Sequence, residues 1–162
     1  MHFRVLEKFW SLGNRFVITD EQERPQYQVR GKGLSWRDQF LISDMEDREV
    51  ARVVQRLYVS KPGYRLYVNG DMVGELTREH ALLRNKFTLS LKDQPLTIEG
   101  KFLKYQFLFF RNGEEIAKVG KGRWQWDSHY GVSIAEGEDP LPILGACLAI
   151  DKILVMQRAV AV

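Results

Sequence analysis

The chain has 162 residues, 44% hydrophobic and 28% charged, with a formal net charge of +3. That length is enough for one domain that buries about two-thirds of its unfolded surface, and charges spread evenly over both halves exclude a polybasic arm for nucleic acid. The single cysteine, Cys147, precludes an internal disulfide and fits a reducing compartment, and the opening M-H-F-R-V-L-E-K-F-W lacks the apolar core of a signal peptide. A cytoplasmic location is therefore the expectation. Nine Phe, six Tyr and four Trp suit a strand-heavy core.

Taken in order, the apolar alternation predicts twelve short strands between residues 3 and 135. Phe3–Trp10 is the first. Arg15–Asp20 and Gln26–Arg30 flank the turn residues E-Q-E-R-P and form a hairpin. Leu34–Ser43 and Glu49–Tyr58 follow, separated by Asp44-Met-Glu-Asp47. The charges of Glu49–Tyr58 suit a helix, but Val50, Val53, Val54 and Val59 favour a strand. Tyr64–Val68 and Met72–Thr77 are joined through Asn69-Gly70, a strong hairpin signal. Arg78 to Asn85 is ambiguous and admits a helical turn. Lys86–Leu91, Leu96–Gly100, Tyr105–Phe110, Glu115–Val119 and His129–Ile134 complete the set, with a second Asn-Gly pair at Asn112-Gly113. Spacings of roughly 8–12 residues point to an antiparallel barrel or sandwich.

The last stretch decides between them. Asp139 to Met156 reads as one helix, about 140–156, with Asp139 as N-cap and Pro140 at the first helical position. No charge falls between Leu141 and Ile150, so the helix has no polar face and must be enclosed. At about 1.5 Å per residue it spans about 25 Å, short for a bilayer, and Asp151 and Lys152 would each cost about 2.5–3.5 kcal/mol there. The prediction is a mainly β fold: a closed antiparallel barrel of about twelve strands around a buried C-terminal helix, one domain over 1–162. Asp151 is then a buried polar residue that needs a partner, expected to be an inward arginine or backbone N–H groups.

The succession of hairpins, Asn112 to Val119, Asp127 to Ile134 and the closing Leu144 to Asp151 resemble the LURP-one-related family, which has the tubby C-terminal-like fold. This resemblance covers essentially the whole chain. It implies a twelve-stranded barrel with the helix through its centre, and little about activity. The wider fold includes tubby proteins, which bind phosphoinositides, and phospholipid scramblases, which carry an acidic calcium segment before the final helix. Here the matching stretch, Asp127–Ile134, has His129 where a second carboxylate is expected, the wrong donor for calcium.

The candidate ligand-binding residues are basic: Lys118, Lys121 and Arg123 around the eleventh strand, with Lys104 near. Trp124 and Trp126 follow them, and such pairs grip phosphate and headgroup; the plainer reading is a solvated loop with tryptophans capping the barrel. G-K-G-R is not a phosphate loop. His2, His80 and His129 are scattered, so no metal site and no cofactor is expected. Ser128 and His129 are neighbours on a strand and point to opposite faces. The function expected is non-enzymatic: a soluble domain binding anionic lipid headgroups or similar phosphorylated ligands, or else a protein-interaction module using the barrel exterior or an edge strand.

Overall fold

The computed structural model describes residues 1–6, 15–32, 39–57, 63–80, 85–122 and 128–160. Alternation of inward apolar and outward, mostly polar side chains builds much of the wall. In β1 (His2–Leu6) Phe3 and Val5 are buried between exposed or half-exposed neighbours. The same pattern runs through β2 (Arg15–Asp20), β4 (Gln39–Ser43), β10 (Gln106–Arg111) and β12 (His129–Ile134). Between them lie β3 (Pro25–Lys32), β5 (Glu49–Gln55), β6 (Gly63–Val68), β7 (Asp71–His80), β8 (Asn85–Leu91), β9 (Leu96–Lys101) and β11 (Glu114–Gly120). Every neighbour pair is antiparallel, and β1 pairs with both β2 and β12, which closes twelve strands into a barrel. Closure leaves no free strand edge among the described residues.

Helix α1 (Pro140–Val160) fills the barrel. Asp139 caps it: its carboxylate accepts from the Leu141 N–H at 3.0 Å. Ile143, Leu144, Ala146, Cys147, Leu148 and Ile150 are buried and belong to one core with the inward side chains of the wall. At Gly145 the helix packs tightly on the sheet: an added Cβ would lie 3.2 Å from both Val53 on β5 and Leu66 on β6. Among the described residues, no helix is long and apolar enough to cross a membrane. The helix continues past the predicted Met156 to Val160, since Gln157, Arg158 and Ala159 are good helix formers.

Alternating strand direction gives the barrel two poles. Asp20, Ser43, Val68, Leu91, Arg111 and Ile134 end at the pole where α1 enters, the acidic pole. Two of its turns are built alike. Asp20 Oδ1 accepts from the N–H groups of Gln22 and Arg24, and its Oδ2 from Arg24 Nε at 2.7 Å; Asp44 does the same with Glu46 and Arg48. Glu23 and Asp47 each take φ 63° in these turns. The Asn-Gly expectations hold: Asn69-Gly70 and Asn112-Gly113 have positive φ at both residues, which the primed turns of tight hairpins require.

The opposite pole, named here the lysine pole, has one described connection between strands. A 3₁₀ turn at Phe102–Lys104 joins β9 to β10, ending at Tyr105 in left-handed conformation, φ 50° and ψ 47°. Tyr105 was predicted to open a strand; the turn displaces that start to Gln106. The ambiguous stretch Arg78–Asn85 is strand in its described part, because β7 runs on to His80 and β8 begins at Asn85. Residues 81–84, and the predicted strand segments 7–10 and 34–38, lie outside the described residues.

Candidate functional site

Strands β11, β12 and β1 lie side by side, and their register sets out two rows on the outer wall. One row is Lys118, Ser133 and His2; the next is Gly120, Gly131 and Arg4. Two adjacent glycines leave a trough in the wall, a groove of about 340 Å³. It extends from Lys118 and Ser133 past Gly120 to Gly122, with His2 and Glu21 also lining it. An added Cβ on Gly120 would meet nothing within 4 Å, so packing does not demand glycine there. Its lack of a side chain keeps the groove open. His2 Nδ1 is 2.9 Å from Ser133 Oγ and 3.9 Å from Glu21 Oε1. Lys118 is exposed on this wall. An ammonium, a hydroxyl and an imidazole on one shallow surface are donors suited to a phosphate oxygen.

Tyr105 ties the lysine pole to the helix. Its hydroxyl donates to the Asp151 carboxylate at 2.5 Å, and its ring stacks on Tyr130 at 5.0 Å between centroids. Lys121 Nζ sits 5.8 Å from the centroid of the same ring, within cation–π range. Asp151 is 1% exposed. A tyrosine hydroxyl is therefore one partner of Asp151, a donor that the sequence reading did not name. Tyr105 supplies it because the left-handed residue after the 3₁₀ turn aims its ring inward, a geometry that periodicity does not encode. Burial, and then the Asp151 charge, push the Cys147 thiol well above its ordinary range, so Cys147 is a core side chain without thiolate reactivity.

The structure separates the basic residues that the sequence grouped. Lys104 ends the 3₁₀ turn and Lys121 lies over Tyr105, so these two share the lysine pole. Lys118 is three residues back along β11, about 10 Å down the wall, and it faces the groove. Arg123, with Trp124, Trp126 and Asp127, lies outside the described residues. Sequence reasoning missed Ser133, His2 and the two glycines, because the three strands that carry them meet only when the barrel closes. Among the described residues no group of three or more His, Cys, Asp and Glu side chains could hold a metal ion. Two further concavities are shallow: about 220 Å³ outside β2–β4, and about 260 Å³ at the acidic mouth beside the Arg111–Glu138 ion pair.

A sequence profile described as LURP-one-related matches residues 1–151. The chain is also 25% identical over 149 residues to the uncharacterized protein YxjI of Bacillus subtilis (strain 168), covering 91% of this chain and 90% of the relative. No solved structure matches.

Proposed function

The chain belongs to the LURP-one-related family, and from that premise and the shape of its outer wall we propose that it is a non-enzymatic domain that binds phosphorylated anions, lipid headgroups among them. The observation that carries this reading is the open groove, with Lys118 and Ser133 on its flank and glycines on its floor. Lys118 supplies charge, Ser133 and His2 supply directional hydrogen bonds, and Lys121 stands beyond Gly120 where the groove meets the lysine pole. The interior offers no comparable place, since α1 occupies it. Chemistry on a substrate would need acids or bases converging in a cleft, whereas this groove is shallow and open, with Lys118, Ser133, His2 and Glu21 spread along its wall. A cytoplasmic setting belongs with this reading, as the side where phosphorylated headgroups meet a reducing solvent.

Titration calorimetry with a soluble inositol polyphosphate, at low and physiological salt, tests it. Binding should weaken as salt rises and fall about fivefold when Lys118→Ala removes one cation. Gly120→Val should fill the groove and abolish binding while leaving the circular dichroism spectrum unchanged. Equal binding by wild type and Gly120→Val overturns the groove. Absence of binding under every condition overturns the reading and turns the search to protein partners on the barrel exterior.

A further inference from the structure

We propose that the domain docks end-on against an anionic bilayer through its lysine pole, with Leu103 entering the interface. The proposal rests on the reading of the chain as a binder of anionic lipid, and it names the surface that meets the membrane. Leu103 is 56% exposed, the most exposed of the large hydrophobic residues described. It stands at the middle of the 3₁₀ turn, between exposed Lys101 and Lys104. The turn is held rigidly from below. Phe102 is buried against Phe87 and Phe107, with ring centroids 4.9 and 5.0 Å away. Tyr105 is anchored by its stack on Tyr130 and its bond to Asp151. Gly100, with φ 147°, admits no Cβ, which would fall 2.3 Å from the Gln106 carbonyl oxygen. With Phe102 and Tyr105 fixed in the core, Leu103 is presented outward without further ordering, so insertion loses little conformational entropy.

Charge selects the partner. Lys101, Lys104 and Lys121 gather at this pole, and Met156 of α1, 44% exposed, adds apolar surface where the helix leaves the barrel. The opposite pole presents exposed Glu23, Glu46, Asp47, Asp93, Glu114 and Glu136 in its turns. A negative bilayer therefore attracts one end of the barrel and repels the other, which fixes orientation as well as affinity. An apolar side chain flanked by lysines supplies the two signals, burial and charge, that membrane association of a soluble domain needs.

Cys147 is the only cysteine and is buried, so a cysteine introduced at the surface can be labelled selectively. Leu103→Cys and Met45→Cys would each carry an environment-sensitive fluorophore, one at each pole. Vesicles of phosphatidylcholine with phosphatidylserine should blue-shift the label at 103 and leave that at 45 unchanged, with no shift on pure phosphatidylcholine. In sedimentation of the unlabelled chain with the same vesicles, Leu103→Glu should reduce binding at least about fivefold, as should each of Lys101→Ala and Lys104→Ala. No shift at 103, an equal shift at both sites, or full binding by Leu103→Glu would overturn end-on docking. The two readings fail separately. Loss of inositol polyphosphate binding in Lys118→Ala without a vesicle-dependent shift at 103 keeps the groove and removes the docking. A shift at 103 with no soluble ligand bound keeps the docking and removes the groove.

Discussion

The acidic pole joins its strands by turns that repeat one another, whereas the described connection at the lysine pole has no counterpart in the described chain. Asp20 to Arg24 and Asp44 to Arg48 use one design, an aspartate accepting from two backbone N–H groups and from the arginine four residues on. In four hairpins a register shift precedes the turn, at Ile18/Thr19, Ile42/Ser43, Leu66/Tyr67 and Phe109/Phe110. Such bulges increase local twist and bend the strands around the helix. Asp20 and Asp44 are satisfied by donors within six residues of themselves, while Glu23 and Asp47 pair with Arg4 and Arg30 on neighbouring strands. The turn at Phe102–Lys104 instead depends on Phe87, Tyr130 and Asp151, all distant in sequence. The two aspartate turns are built mainly on local chemistry and the Phe102–Lys104 turn on tertiary contact, and it is the latter that presents lysines and an exposed leucine.

Substitutions should separate the two modes. The largest effect is common to both poles: Leu144→Asp places a carboxylate at a fully buried position and should abolish soluble folded protein, read by expression and gel filtration. Gly100→Ala comes next. Its Cβ would collide with the chain at Gln106 and Phe107, and denaturant unfolding should show a loss of at least about 2 kcal/mol. Tyr105→Phe removes a buried donor to Asp151 and should cost about 1.5–3 kcal/mol in the same measurement. If Tyr105→Phe proves neutral, the tertiary anchoring of the lysine pole is wrong.

At the acidic pole the expected effects are smaller and depend on pH. Burial tends to raise the Asp20 pKa, but bonds from Arg24 and Gln22 outweigh it and hold it below the usual value. For Asp44 the Arg48 N–H and guanidinium lead, with the same net direction. A depressed native pKa stabilises the fold above the unfolded value of about 4, and that contribution is lost as pH falls through the native pKa. Asp20→Ala and Asp44→Ala should therefore each lower Tm modestly at pH 7, by similar amounts, with the gap to wild type narrowing below pH 4. Unequal losses would show that the two turns are alike in geometry only. Smallest of all, Leu103→Ser should change stability by no more than about 0.5 kcal/mol, because this side chain is mostly in water.

Much of this architecture was legible in the residues. Period-two alternation, two Asn-Gly pairs and an uncharged run from Leu141 to Ile150 led to twelve strands round a buried helix, because each is a local pattern with one low-energy solution. The twin turns were legible in part: the segments after Asp20 and from Asp44 stood out as turns, while the arginine four residues on from each aspartate went unread. Lys104, Lys118 and Lys121 were found as charges, but sequence adjacency did not show which neighbours each one meets. Lys118 joins Ser133 and His2 through strand register, and Lys104 joins Lys121 through Tyr105.

By itself, then, the sequence determined the wall, the helix and its capping by Asp139, since hydrophobic period and N-cap chemistry act over a few residues. Only the tertiary structure decided the groove, the partner of Asp151 and the charge difference between the poles. Those depend on closure of β1 against β12, which brings together residues more than 130 positions apart, and on a left-handed Tyr105 whose backbone is stabilised by contacts the local chain does not contain.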